Sequence, residues 1–135
     1  MKKNPVDRLR KHILAETGKA REEADRRVDN GDEISVGCID EKSVNSLEME
    51  WRPPGGWAFV FMEGYADEYV SRRKGKKITA VAHEKCAYLY FVHGAQTLER
   101  QREILRSIED KTKELREKYG SEIEFIVDSD GSAPI

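Results

Sequence analysis

The sequence predicts an α+β domain: a mostly antiparallel sheet of about five to six strands, with an N-terminal helix and a long C-terminal helix packed on it. Three stretches carry that expectation. In LEMEWRPPGGWAFVFM, residues 47–62, apolar Leu47, Met49 and Trp51 alternate with Glu48 and Glu50. Alternation is the period-2 signature of a half-buried strand. Pro53, Pro54, Gly55 and Gly56 interrupt it, and the aromatic run WAFVFM follows. A hairpin with Trp51 opposite Trp57 places Met49 by Phe59 and Leu47 by Phe61, leaving Glu48 and Glu50 on the wet side. ITAVAH and CAYLYFVH, residues 78–83 and 86–93, read as a second hairpin turning at Glu84-Lys85, with both faces apolar. The third stretch is a helix. Leu98, Leu105, Ile108, Leu115 and Tyr119 share one helical face, Thr97 is placed to cap its start, and Gly120 to stop it.

The remaining elements follow in chain order. Asn4-Pro5 suits a helix start, and Val6, Leu9, Ile13 and Leu14 form a stripe, so a helix is expected over residues 5–29. ISVGCI, residues 34–39, reads as a short strand. Residues 63–70 fit either a helical turn or a bent strand. Residues 71–77 (SRRKGKK) form a polar turn around Gly75. In the C-terminal helix, Gln101 and Thr112 fall on the otherwise apolar seam. IEFIV, residues 123–127, reads as a last strand. The expected organisation is one domain over residues 1–127 and a flexible tail over 128–135.

Of the 135 residues, 38% are hydrophobic and 37% charged, with a net charge of −2. That balance predicts a folded chain and gives bulk charge no reason to seek a polyanion or a membrane. The charge-rich composition is compatible with a thermophilic source. The stretch MKKNPVDRLRK lacks the apolar core of a signal peptide, so a cytoplasmic location is expected. Charge is also segregated along the chain. Residues 34–70 hold two basic against seven acidic residues, and residues 71–94 hold six basic against one.

Candidate sites follow from these patterns. Arg72, Arg73, Lys74, Lys76 and Lys77 crowd five cations into six positions, a feature that suits an anionic partner such as nucleic acid or an acidic protein surface. The same lysines also suit a solvated turn. Glu48 and Glu50, with Asp40 upstream, form a carboxylate set of the kind that holds Mg²⁺ for phosphodiester hydrolysis. The arrangement is similar to that of restriction-like nucleases, but Glu50 stands where the lysine belongs. GGWAFVFM resembles, over eight residues, the octamer of the RNA-recognition motif, whose aromatics stack bases on a sheet. Gly55 replaces the basic residue that opens that octamer, and the chain shows no strand before its first helix. Cys38 and Cys86 sit in apolar runs and read as buried thiols. His83 and Cys86 are close in sequence, but His93 lies roughly 23 Å from Cys86 along a straight strand, so no metal site is expected. No catalytic motif occurs, and no cofactor is expected.

The second hairpin presents Thr79, Val81, Tyr88 and Tyr90 on one face. With only one helix apolar enough to cover a face fully, this surface is expected to mediate self-association. The functional expectation is a small non-enzymatic binding or regulatory module acting through protein–protein contacts, as a homodimer. The alternatives are a nucleic-acid-binding protein using loop 72–77 and a metal-dependent nuclease.

Overall fold

The structure is a computed structural model, and it describes residues 4–24, 33–38, 50–129 and 131–135. Helix α1 (Pro5–Ala24) precedes strand β1 (Glu33–Val36). Two short helices follow, α2 (Trp57–Met62) and α3 (Ala66–Ser71), then strand β2 (Lys77–His83). Helices α4 (Ala87–Val92) and α5 (Leu98–Tyr119) lead to strand β3 (Glu122–Asp128). Among the described residues, the sheet has three strands in the order β1-β2-β3, and both pairings are parallel. Residues 50–51 border β1 on its other side: Glu50 N–H donates to Ser35 O at 2.7 Å, and Gly37 N–H to Trp51 O at 3.1 Å.

This corrects the expected antiparallel sheet of five to six strands. Neither predicted hairpin forms. Parallel neighbours need a long crossover, usually helical, and here α2 with α3 supplies the first and α4 with α5 the second. WAFVFM is a helix because it is enclosed: Trp57, Ala58, Phe59 and Val60 are all buried. A helix with no polar residue lacks the polar face that marks its period, so its sequence looks like a buried strand. Trp51 does not lie opposite Trp57 in a hairpin. It stacks on Tyr69 at 5.9 Å and meets the edge of Phe59 at 5.7 Å.

The second hairpin fails for the same reason. ITAVAH lies within β2, but Lys85 takes a positive φ of 54° and Cys86 becomes the N-cap of α4. Gln101, the anomaly on the α5 seam, holds this junction together. Its Oε1 accepts the Cys86 N–H at 2.6 Å, and its Nε2 donates to Cys86 O and Ala95 O. Thr112, the other anomaly, accepts from Trp57 Nε1 at 3.0 Å and donates to Ile108 O at 2.7 Å. Both polar side chains are therefore satisfied inside the core.

Register places Ile34, Ile78 and Ile123 side by side, and Val36 beside Ala80 and Phe125. These residues form one core with Ile104, Leu105, Ile108 and Leu115 of α5. Helix α1 packs on α4, but its buried residues are Ile13, Thr17 and Ala20. Val6 and Leu14 of the expected stripe are exposed. The predicted continuation to residue 29 falls outside the described residues, as do Leu47, Glu48 and Met49 of the first predicted hairpin. Gly56 explains how the Pro-Pro-Gly-Gly turn reaches the sheet. A Cβ there would lie 2.5 Å from Val81 O and 2.7 Å from Cys38 N, and its φ is positive.

Candidate functional site

The structure breaks up the basic loop. Arg73 is buried, and its guanidinium binds Glu50 twice, Nη2 to Oε1 at 2.9 Å and Nε to Oε2 at 3.1 Å. Its Nη1 donates to Tyr69 O at 3.1 Å, and its central carbon sits 3.6 Å above the Tyr69 ring. The Tyr69 hydroxyl donates to Glu50 as well. A candidate anion-binding cation and a candidate metal-binding carboxylate thus neutralise each other inside the protein. Arg72 pairs with Glu68 at 2.6 Å on the surface of α3. Of the five cations, Lys74 is exposed and Lys76 and Lys77 are half-buried. Asp40 and Glu48, the other carboxylates of the nuclease reading, lie outside the described residues. The octamer resembling an RNA-recognition motif forms a turn and α2, not a strand whose aromatics face solvent.

The expected interface residues also disperse. Val81 and Tyr88 are fully buried, while Thr79 and Tyr90 are half-buried on separate elements. Cys38 and Cys86 are buried free thiols, and Cys38 Sγ accepts the Gly55 N–H at 3.1 Å. Among the described residues, no three His, Cys, Asp or Glu side chains are placed to hold a metal ion.

A second carboxylate centre joins three helical segments. Glu63, at the end of α2, receives the Tyr88 hydroxyl from α4 at 2.5 Å. Arg21 from α1 donates to its other oxygen, with Nε at 2.8 Å and Nη2 at 2.5 Å. His93 Nε2 stands 2.6 Å from the Tyr88 oxygen and 3.4 Å from Glu63. Burial alone would raise the Glu63 pKa. The hydrogen bonds from Tyr88 and Arg21, with the charges of Arg21 and His93, outweigh it and hold the carboxyl below its ordinary value. Burial, then the Glu63 carboxylate, push the Tyr88 phenol far up, so it stays a donor. Chemically this is an ionised acceptor locked among donors, a clamp that fastens α1 to the body.

In parallel sheets ligands usually sit beyond the carboxyl ends of the strands. Here the chain itself fills the carboxyl end of β2. Ala133 N–H donates to Lys85 O at 2.9 Å, and a Cβ on Gly131 would fall 2.3 Å from Glu84 O.

What the fold leaves available is the outer edge of β3. Glu84 N–H donates to Asp128 O at 2.8 Å, which turns the Asp128 peptide groups toward β2. Alternation does the same for Ile126, Glu124 and Glu122, and turns those of Ile123, Phe125 and Val127 outward. Arg116 Nε takes the Ile123 carbonyl at 2.6 Å. Among the described residues, the N–H and C=O groups of Phe125 and Val127 line an open edge. Val127 is 44% exposed and borders a cleft of about 240 Å³ between β3 and α5, floored by Leu105 and rimmed by Glu84, Arg102, Arg106 and Glu109.

Comparison with known proteins returns no matching family, no matching curated protein and no matching solved structure. Among the described residues, no helix is long and apolar enough to cross a membrane.

Sequence reasoning saw IEFIV as a strand, but strand order makes it an edge, and order is a tertiary property. It missed the Glu63 clamp because Arg21, Glu63, Tyr88 and His93 are scattered along the chain. The signal available was a glutamate two positions from an aromatic on either side, Phe61 and Tyr65, at the start of the ambiguous segment 63–70.

Proposed function

We propose that this chain is a small binding module that acts through protein–protein contacts at the open edge of β3. One observation carries the reading: two outward peptide units, Phe125 and Val127, beside an apolar cleft whose floor is Leu105 and whose wall is Val127. Unpaired strand edges are ready templates for another strand. Main-chain hydrogen bonds supply the affinity, and alternate side chains in neighbouring pockets supply the selectivity. The burial of Glu50 with Arg73 and the clamping of Glu63 support the same reading, because both place ionisable groups in structural roles. The face expected to mediate self-association is not free for it, because the core consumes Tyr88 and Val81.

The test is a titration of the isotope-labelled chain with capped five-residue strand peptides of varied charge, alongside a concentration series of the chain alone. Slowed amide exchange at Phe125 and Val127, with shift changes confined to β3 and Leu105, is the expected result in at least one series. Unchanged exchange at both amides in every series, at millimolar concentration, refutes the reading.

A further inference from the structure

Resting on that reading of the edge, we infer that the partner is a basic extended segment of another protein, in which two cationic residues flank three β-forming ones. The argument starts from the side chains beside the open peptide groups. β3 reads Glu-Ile-Glu-Phe-Ile-Val-Asp, three acids and no base. Side chains alternate along a strand, so Glu122, Glu124, Ile126 and Asp128 share one face of the sheet, and Ile123, Phe125 and Val127 share the other. Arg116 occupies the Ile123 carbonyl, so an added strand has residues 124–128 to pair with.

An antiparallel strand centred opposite Ile126 has five positions. Those opposite Phe125 and Val127 form the hydrogen-bonded pairs, and their side chains lie toward α5, over the Leu105–Val127 cleft. Apolar β-branched residues suit them. The central position meets Ile126. The two outer positions meet Glu124 and Asp128, in close non-hydrogen-bonded pairs where opposite charge stabilises and like charge destabilises. A basic–apolar–apolar–apolar–basic segment therefore complements every position.

A second copy of this chain complements the edge poorly. Self-pairing centred on Ile126 sets Glu124 against Asp128 of the other copy, and by symmetry does so twice. Self-pairing centred on Phe125 sets Glu122 against Asp128, also twice. The acids that repel a second copy attract a lysine-bearing strand, and the Arg102–Glu84 pair at the rim adds no net charge to the cleft.

The experiment uses the full chain and three capped peptides, Lys-Val-Thr-Val-Lys, Ser-Val-Thr-Val-Ser and Glu-Val-Thr-Val-Glu, read by amide exchange at Phe125 and Val127 and by shift titration. The basic peptide should bind about 2- to 30-fold tighter than the neutral one, as two opposite-charge cross-strand pairs imply, and lose that advantage in high salt. The acidic peptide should bind more weakly than the neutral one. Glu124→Lys/Asp128→Lys, checked for folding by circular dichroism, should invert the order. The charge series on the unmodified chain decides alone if that variant does not fold. Equal binding of the basic and neutral peptides, or a basic peptide that shifts residues away from β3, overturns the basic-strand assignment and leaves the edge reading standing. So does light scattering that finds a dimer whose formation slows exchange at Phe125 and Val127. Failure of all three peptides and of self-association overturns both.

Discussion

Glu50→Gln separates two physical pictures of this chain. If Glu50 sat on the wet face of a hairpin strand, as its alternation with Leu47, Met49 and Trp51 implies, losing its charge would change almost nothing. In the fold, Glu50 is 8% exposed at its side chain and Arg73 only 1%. The carboxylate accepts two hydrogen bonds from the guanidinium and one from Tyr69. The substitution keeps the side-chain volume but removes the countercharge, and the new amide NH₂ points a donor at Arg73. Breaking one side of a buried ion pair costs about 3–5 kcal/mol, because the partner charge is left desolvated. With a urea m-value of about 2 kcal/mol/M, the midpoint should fall by about 2 M. The double variant Glu50→Gln/Arg73→Met should recover much of the loss, since no buried charge remains to be unpaired. Equilibrium urea unfolding followed by tryptophan fluorescence reads both. A shift below about 0.3 M for Glu50→Gln, against the m-value above, or a double variant less stable than the single by the full cost of losing Arg73, refutes the reasoning.

Three further outcomes test other parts of the structure. Gly56→Ala should cost about 2 kcal/mol or more, because its Cβ would meet backbone atoms of Val81 and Cys38 at a positive φ. Gly18→Ala, in open space within α1, should instead stabilise by about 0.5–1 kcal/mol, and paired thermal melts compare the two. Thr112→Val should cost about 1–3 kcal/mol by stranding the Trp57 indole N–H in the core, with a changed tryptophan emission maximum as an independent readout. The Glu63 clamp should give an acid-side dependence. Its folded pKa lies below the ordinary 4.5, so the stability it contributes is fully present above that value and is lost as pH falls through the folded pKa. Glu63→Gln should be less stable at neutral pH and should lose part of the slope of melting temperature against pH below about 4.5. An identical slope in both proteins would remove Glu63 as its source.

Several features could be read from residues alone because they are local. Thr97 caps α5 by accepting the Arg100 N–H, Gly120 ends it with a φ of 60°, and its buried seam runs through Ile104, Leu105, Ile108 and Leu115. β3 and the turn at residues 53–56 were equally legible, since each depends on neighbours a few positions apart. Tertiary structure alone decided what WAFVFM and AYLYFV became. Periodicity reports a contrast between a polar face and an apolar one, and these runs hold no charged residue on any face, so little contrast is left to read. As helices they serve as the crossovers between parallel strands, and the strand order leaves β3 at an edge of the described sheet. The same cause governs the charged sites. Arg73 looks like part of a solvated basic loop and Glu50 like a wet strand residue, because neither local pattern records a partner 23 positions away. Their burial is a long-range pairing, and only the folded chain brings the two charges together.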